Sequence, residues 1–292
     1  MGSLRVKRST HKLPSVSTER RKIMRNYLQE HRDTFKTDKP IIGCVHLMAL
    51  PGTPYYDPTI SFREHINRAA EEIKALQDSG FDAVIFANEG DRPYVFNVGP
   101  EIIASYVRIV SELLQYITVP YGCGVLIDPI ATLAVAKAID AKFVRTYVTG
   151  TYADIFGFHD FKPGDIYRYK KQIGADDVKI YCYFDAHAGT SLDTREQSSM
   201  IDAGLAIVEP AGVLIPGQRA GLAPNLKEVK KIKDRYPNHP ILIASGVNKN
   251  NVKEALEVSD GFVIGTSLKR DGVLWNEVDF NRAKEFIKAA KG

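Results

Sequence analysis

A histidine closes the first apolar run after Lys39, in Gly43-Cys44-Val45-His46-Leu47. An imidazole titrates near neutral pH, so His46 suits acid–base work or metal ligation. The plainer reading is a packed, hydrogen-bonded side chain. The second apolar run leads into Asn88-Glu89-Gly90-Asp91-Arg92-Pro93. Two carboxylates two residues apart on a loop can bind a cation, orient hydroxyls or cap a turn. Asp128-Pro129 follows the third run, where an aspartate is a good helix N-cap as well as a candidate carboxylate. Arg145 stands inside the fourth run, between Val144 and Thr146. A buried guanidinium requires a partner, and Asp128, Glu89 and Asp185 are the candidates. The fifth run ends Phe184-Asp185-Ala186-His187. Residues two apart on an extended chain point the same way, so Asp185 and His187 can form an acid–base pair or supply two metal ligands. His46, Asp185, His187, Glu89, Asp128 and Arg145 are therefore the candidate catalytic set. A divalent metal is compatible with these groups, but nothing in their spacing demands one.

Two further segments stand out for their small residues: Ala244-Ser245-Gly246-Val247-Asn248 and Ile264-Gly265-Thr266-Ser267. Bare backbone amides beside a helix start attract phosphate, and glycine lets the backbone approach the ligand. Ser245, Gly246, Val247, Gly265, Thr266 and Ser267 are the expected phosphate contacts. Asn88, Asp91, Gly217, Arg219 and Gly221 are the expected contacts to the rest of a substrate. The alternative is two tight loops with glycine for geometry only. Several chemistries are excluded. The chain has no Gly-x-x-x-x-Gly-Lys-Ser/Thr loop, no Gly-x-Gly-x-x-Gly fingerprint and no Gly-x-Ser-x-Gly elbow. Lys142 and Lys179 fall at strand starts, the wrong end for a Schiff base, and Lys269 just past the last strand is a poor candidate.

These residues need elements to hold them. From Lys39 onward a short apolar strand, a loop and an amphipathic helix recur. Strands are expected at 40–45, 82–87, 121–127, 143–148, 178–184, 241–244 and 261–264. The sixth in order is ambiguous between 205–208 and 212–215, and the second is favoured because a Gly/Pro-rich loop follows it. Ser61-Phe62-Arg63-Glu64 is a capping box that opens a helix with Ile66, Ala69, Ala70, Ile73 and Leu76 on one face, closed by Gly80. Another helix opens at Pro129, and the last spans about 279–291. Eight such units in about 250 residues are the count of an α/β fold of the (β/α)8 TIM-barrel class. A doubly wound open sheet is the competitor. In a barrel, the candidate residues all fall at the carboxyl ends of strands, where barrel chemistry sits.

The 292 residues are 44% hydrophobic and 25% charged, an ordinary globular composition. No apolar run approaches the roughly 18 residues of a membrane helix. The three cysteines, Cys44, Cys123 and Cys182, lie in apolar strands and read as buried thiols of a cytoplasmic protein. Charge is uneven: residues 1–39 hold 11 Lys and Arg against 4 Asp and Glu, a net of +7, which leaves −3 of the total +4 for the rest. A body of net −3 argues against nucleic-acid binding. Residues 1–39 read as a basic leader, partly disordered, with a short helix near 18–31; residues 40–292 read as one barrel domain. A transit peptide, or loose attachment to anionic lipid or nucleic acid, are the other readings of the leader. A homo-oligomer is compatible with the sequence.

Taken in order, Gly43-Cys44-Val45-His46-Leu47-Met48-Ala49-Leu50-Pro51-Gly52, Asn88 to Pro93, Phe143-Val144-Arg145, Ser245-Gly246-Val247 and Asp260 to Gly272 resemble the BtpA/SgcQ family of TIM-barrel proteins. The resemblance spans about residues 40–290. Ala87, Asp128-Pro129 and Cys182 to Asp185 depart from the family pattern, whereas His187-Ala188 agrees. The resemblance implies a barrel with an anion pocket. It also implies one of two roles, an enzyme of isomerase, lyase or nucleosidase type or a non-catalytic assembly factor, since cyanobacterial relatives are linked to photosystem I. Residues and resemblance together favour an enzyme acting on a phosphorylated sugar or nucleoside-type metabolite.

Overall fold

The computed structural model describes residues 25–185, 189–217 and 221–292. The chain enters through α1 (Tyr27–Phe35), then alternates β1 (Ile41–His46), α2 (Phe62–Ser79), β2 (Ala83–Ala87), α3 (Pro100–Leu113), β3 (Tyr121–Gly124), α4 (Pro129–Ala138) and β4 (Phe143–Tyr147). A hairpin of β5 (Gly150–Asp154) and β6 (Gly157–Phe161) precedes α5 (Pro163–Gln172) and β7 (Lys179–Tyr183). After β8 (Gly189–Ser191) come α6 (Gln197–Ile207), β9 (Gly212–Ile215), α7 (Leu226–Arg235), β10 (Ile241–Ile243), α8 (Val252–Val258), β11 (Phe262–Ile264) and α9 (Phe280–Lys291). The parallel strands β1, β2, β3, β4, β7, β9, β10 and β11 close into a barrel in that order, with β11 returning to β1. The expected TIM barrel is therefore present. Its sixth strand is 212–215, and residues 205–207 belong to α6.

Strand period two sets the interior. Ile42 and Cys44, Ala83 and Ile85, Phe143, Tyr181, Leu214, Leu242 and Val263 pack together along the axis. The same parity puts His46, Arg145 and Gly265 above them, at the carboxyl ends. Outward residues such as Val45, Val84 and Val144 pack under the helices. α2 begins as expected: the Ser61 side chain accepts from the Glu64 amide, and the Glu64 carboxylate accepts from the Ser61 amide. Gly80 ends it at φ 93°.

The structure departs from the sequence reading in three places. The helix expected near 18–31 starts at Tyr27 and runs to Phe35 among the described residues. It is part of the barrel's packing: Phe35 lies 4.8 Å from the Phe143 ring and 5.6 Å from that of Tyr181, closing the amino-terminal mouth. The third strand ends at Gly124, because the Val125 amide turns to Thr132 Oγ1 and the Leu126 amide to Asn88 Oδ1. Finally, β6, β5 and β8 form an antiparallel sheet outside the barrel that the strand–helix count did not anticipate. Cys44, Cys123 and Cys182 are buried free thiols. Among the described residues no helix is long and apolar enough to cross a membrane.

Candidate active site

One cavity of ≈ 470 Å³ opens at the carboxyl end of the barrel. His46, Glu89 and Arg145 line one side; Gly246, Gly265 and Thr266 line the other. Ser245, Val247, Ser267 and Gly221 also reach it. Most of the expected site thus converges, although it was drawn from six separate stretches of sequence.

Glu89 is the hub. It follows β2 in a single 3-10 turn, Glu89–Asp91. Its Oε1 lies 3.9 Å from Arg145 Nη2 and 4.0 Å from His46 Nε2. Its Oε2 accepts from the Tyr94 hydroxyl at 2.7 Å. Of the three partners expected for Arg145, the structure chooses Glu89. Arg145 also hydrogen-bonds the Tyr183 side chain. His46 is buried, and its Nδ1 has no hydrogen-bond partner among the described residues. Burial, then the positive charges of Lys269 and Arg145, hold its pKa well below the usual histidine range. His46 is therefore a neutral imidazole at neutral pH, able to take a proton from a ligand or to hydrogen-bond one.

Beneath this trio lies an ion pair removed from water. Lys269 Nζ donates to both Glu72 oxygens, at 2.9 and 2.8 Å, with both side chains almost wholly buried. Glu72 also accepts from the His46 amide and the Val278 amide, each at 3.3 Å. The pair ties α2, the end of β1 and the turn after β11 into one unit. Lys269 is thus fully buried and engaged with Glu72.

The two glycine loops face the trio. Gly246 has φ 70°, and a Cβ there would stand 1.9 Å from the Ala223 amide nitrogen, so only glycine fits. Side-chain amides of Asn248 and Asn251 hold the Gly246 carbonyl at 3.4 and 3.2 Å. Gly265 makes room for the histidine: a Cβ there would lie 3.2 Å from His46 Cε1. The Ser267 hydroxyl donates to the Val247 carbonyl at 3.0 Å, fastening one loop to the other. Among the described residues, no oxygen accepts from the amides of Gly246, Val247, Gly265, Thr266 or Ser267. That leaves backbone donors on the cavity wall for an anion.

Other expected site residues serve the scaffold. Asp128 is the N-cap of α4, accepting from the Ile130 and Ala131 amides at 2.9 Å each and from the Val98 amide at 3.0 Å. Asp91 is buried, accepting from the Leu50 amide and from Asn88 Nδ2 at 2.8 Å each. Burial pushes its pKa up to about 6. Asn88 and Asp91 therefore latch the loops after β1 and β2 instead of lining the cavity. Asp185 accepts from Gln197 at 3.2 Å and is outside the cavity lining. Gly217 packs against the Leu222 carbonyl and Ser245. His187 and Arg219 lie outside the described residues. Among the described residues no three His, Cys, Asp or Glu side chains gather as a metal site. Sequence reasoning missed Glu72 and Tyr94. Glu72 had a signal, since it stands three after Ala69 and four before Leu76 on the buried helix stripe. Tyr94 had none.

The fold and cavity define a (β/α)8 barrel with a polar site at its carboxyl rim. The barrel is similar in shape to a solved structure described as native KDPGal (TM-score 0.53, 16% identity, 87% of this chain and 95% of that one). It is also similar to phosphoribosyl anthranilate isomerase of Thermotoga maritima (TM-score 0.52, 16% identity, 86% and 99%). The BtpA family model matches residues 37–292, and the chain belongs to the BtpA family. It is 35% identical to SgcQ of Escherichia coli over 257 residues, covering 88% of this chain and 96% of that protein. It is 30% identical over 262 residues to the photosystem I biogenesis protein BtpA of Synechocystis, covering 88% and 89%.

Proposed function

We propose that the protein is an enzyme of phosphorylated sugar-type or nucleoside-type metabolites, with isomerase, lyase or nucleosidase chemistry. The observation that supports this most directly is that both glycine loops share one cavity with His46, Glu89 and Arg145. The amides of Gly246 and Gly265 hold the phosphate. His46, neutral and with an unengaged nitrogen, exchanges a proton with the substrate. Arg145 stabilises negative charge that develops next to it, and Glu89 fixes both side chains while accepting a substrate hydroxyl. A barrel mouth beside low-dielectric walls strengthens each of these contacts.

A thermal-shift screen against inorganic phosphate, sugar phosphates, ribose phosphates and nucleotides tests the reading. The expected result is stabilisation of the wild type by at least one phosphorylated compound and none for Gly265→Val, whose side chain would enter the space of the His46 ring. His46→Gln should still bind that compound but fail to turn it over. No stabilisation by any compound, free phosphate included, overturns the proposal. That outcome would favour a scaffold role of the kind named for the Synechocystis relative.

A further inference from the structure

Arg92 belongs to the Asn88–Pro93 motif but does not line the cavity. Its guanidinium carbon lies 3.7 Å from the ring centroid of Trp275 and 4.5 Å from that of Tyr55. The three residues come from three loops, those after β1, β2 and β11. A guanidinium packed against aromatic rings still has its N–H donors available in its own plane. Among the described residues, no carboxylate or carbonyl takes any of those donors. Two other arginines that stack on tyrosine differ in this respect. Arg25, over Tyr27, donates to Glu30, and Arg235, over Tyr236, donates to Asp202. Arg92 has the same stacked setting, doubled, without the acid.

Its position bears on the cavity. Trp275 follows Leu274, which lines the cavity, and Arg92 is three residues beyond Glu89, which also lines it. The charge of Arg92 reaches the Tyr94 phenol that holds Glu89. β10, β11, β1 and β2 are consecutive in the ring. The amide loops after β10 and β11 therefore lie on one side of His46 in the ring and the β2 loop that carries Arg92 on the other, with Trp275 of the β11 loop reaching across to Arg92. A rigid fork of donors with no internal acceptor recognises phosphate or carboxylate.

We infer that Arg92, packed against Tyr55 and Trp275, binds a second anionic group of the ligand, so that the substrates of this cavity are doubly anionic. One phosphate sits on the Gly246 and Gly265 amides; a phosphate or carboxylate at the far end meets Arg92. This rests on the phosphate site proposed above and names the class of compound that fills it.

Two pairs of probes differ by that second group: ribulose 1,5-bisphosphate against ribulose 5-phosphate, and 6-phosphogluconate against glucose 6-phosphate. Titration calorimetry at fixed salt should give the doubly anionic member of at least one pair about tenfold tighter binding. Preference within the first pair identifies a phosphate at Arg92, and preference within the second a carboxylate. Arg92→Gln should erase the preference by weakening the doubly anionic member about tenfold. Arg92→Lys, which keeps the charge but loses the fork, should retain only part of it and serves if the glutamine variant folds poorly. Equal affinities within both pairs on the wild type, or an unaltered preference in Arg92→Gln, overturn this inference alone. Failure of every probe, inorganic phosphate included, overturns it together with the phosphate site.

Discussion

At the amino-terminal end of the barrel, His31 bonds Tyr181 Oη at 2.8 Å through one ring nitrogen and the Asp260 carbonyl at 3.2 Å through the other. Phe35 fills the space beside it. At the carboxyl end, His46 is equally buried, yet its Nδ1 has no partner among the described residues, and backbone amides on the opposite wall have none either. Both ends contain a neutral histidine close to aromatic or cationic groups. They differ in whether the hydrogen bonds are closed within the protein. Buried polar groups ordinarily are satisfied, because each one left over carries a desolvation cost. Among the described residues the amino-terminal side has one such exception, the Tyr167 hydroxyl, whereas at the carboxyl rim the His46 nitrogen and several loop amides lack partners around one cavity, which is where the proposed ligand would complete the structure. Burial and residue type alone would not have separated the two histidines.

The comparison can be broken or sharpened by substitution. Phe35→Ala should cost about 3–5 kcal/mol, as truncation of a packed phenylalanine does, while leaving ligand affinity at the rim intact. Urea denaturation and the phosphate titration together check this. If Phe35→Ala also abolished ligand binding, the two ends would not be independent. Lys269→Met should cost about as much, because it leaves the Glu72 carboxylate buried without its cation. The double variant Glu72→Met/Lys269→Met should recover most of that loss, and denaturation of the three proteins in parallel measures it.

A third test uses pH. His31 has its pKa lowered to about 4, chiefly by burial, against 6.5 when unfolded. The unfolded chain binds the extra proton first, so the stability this residue confers is complete above pH 6.5 and declines as pH falls toward 4. The loss should amount to about 3 kcal/mol across that window. Wild type and His31→Gln, unfolded in urea at pH 7 and pH 4.5, should differ in slope by about that much. An identical slope would show that His31 is not the group responsible. The smallest effect belongs to the outer sheet. Ile155 is 87% exposed at the tip of the β5–β6 hairpin. Ile155→Ser should change stability by less than about 0.5 kcal/mol in the same assay.

Much of this organisation was legible before the structure. The capping box at Ser61, the glycine at the end of α2 and the recurring apolar runs are local signals, and local signals suffice for a barrel because each strand–helix unit repeats the same rule. The glycine loops and His46 were legible for a related reason: barrel topology places every strand end at one rim. What the sequence could not supply was the choice among partners. Asp128, Asp91 and Glu89 are all carboxylates near strand ends. Only three-dimensional proximity turns the first into a helix cap, the second into a loop latch and the third into the partner of Arg145. The β5–β6–β8 sheet escaped notice for a different cause. Its strands are short, β5 and β8 pair across a helix and a barrel strand, and Phe158 on its outer strand is exposed, so no buried alternation announced it.

α1 seals the floor of the barrel, and residue 25 joins it there. The described chain thus starts on the side away from the cavity. A label placed on α1 would therefore lie a barrel's length from the cavity.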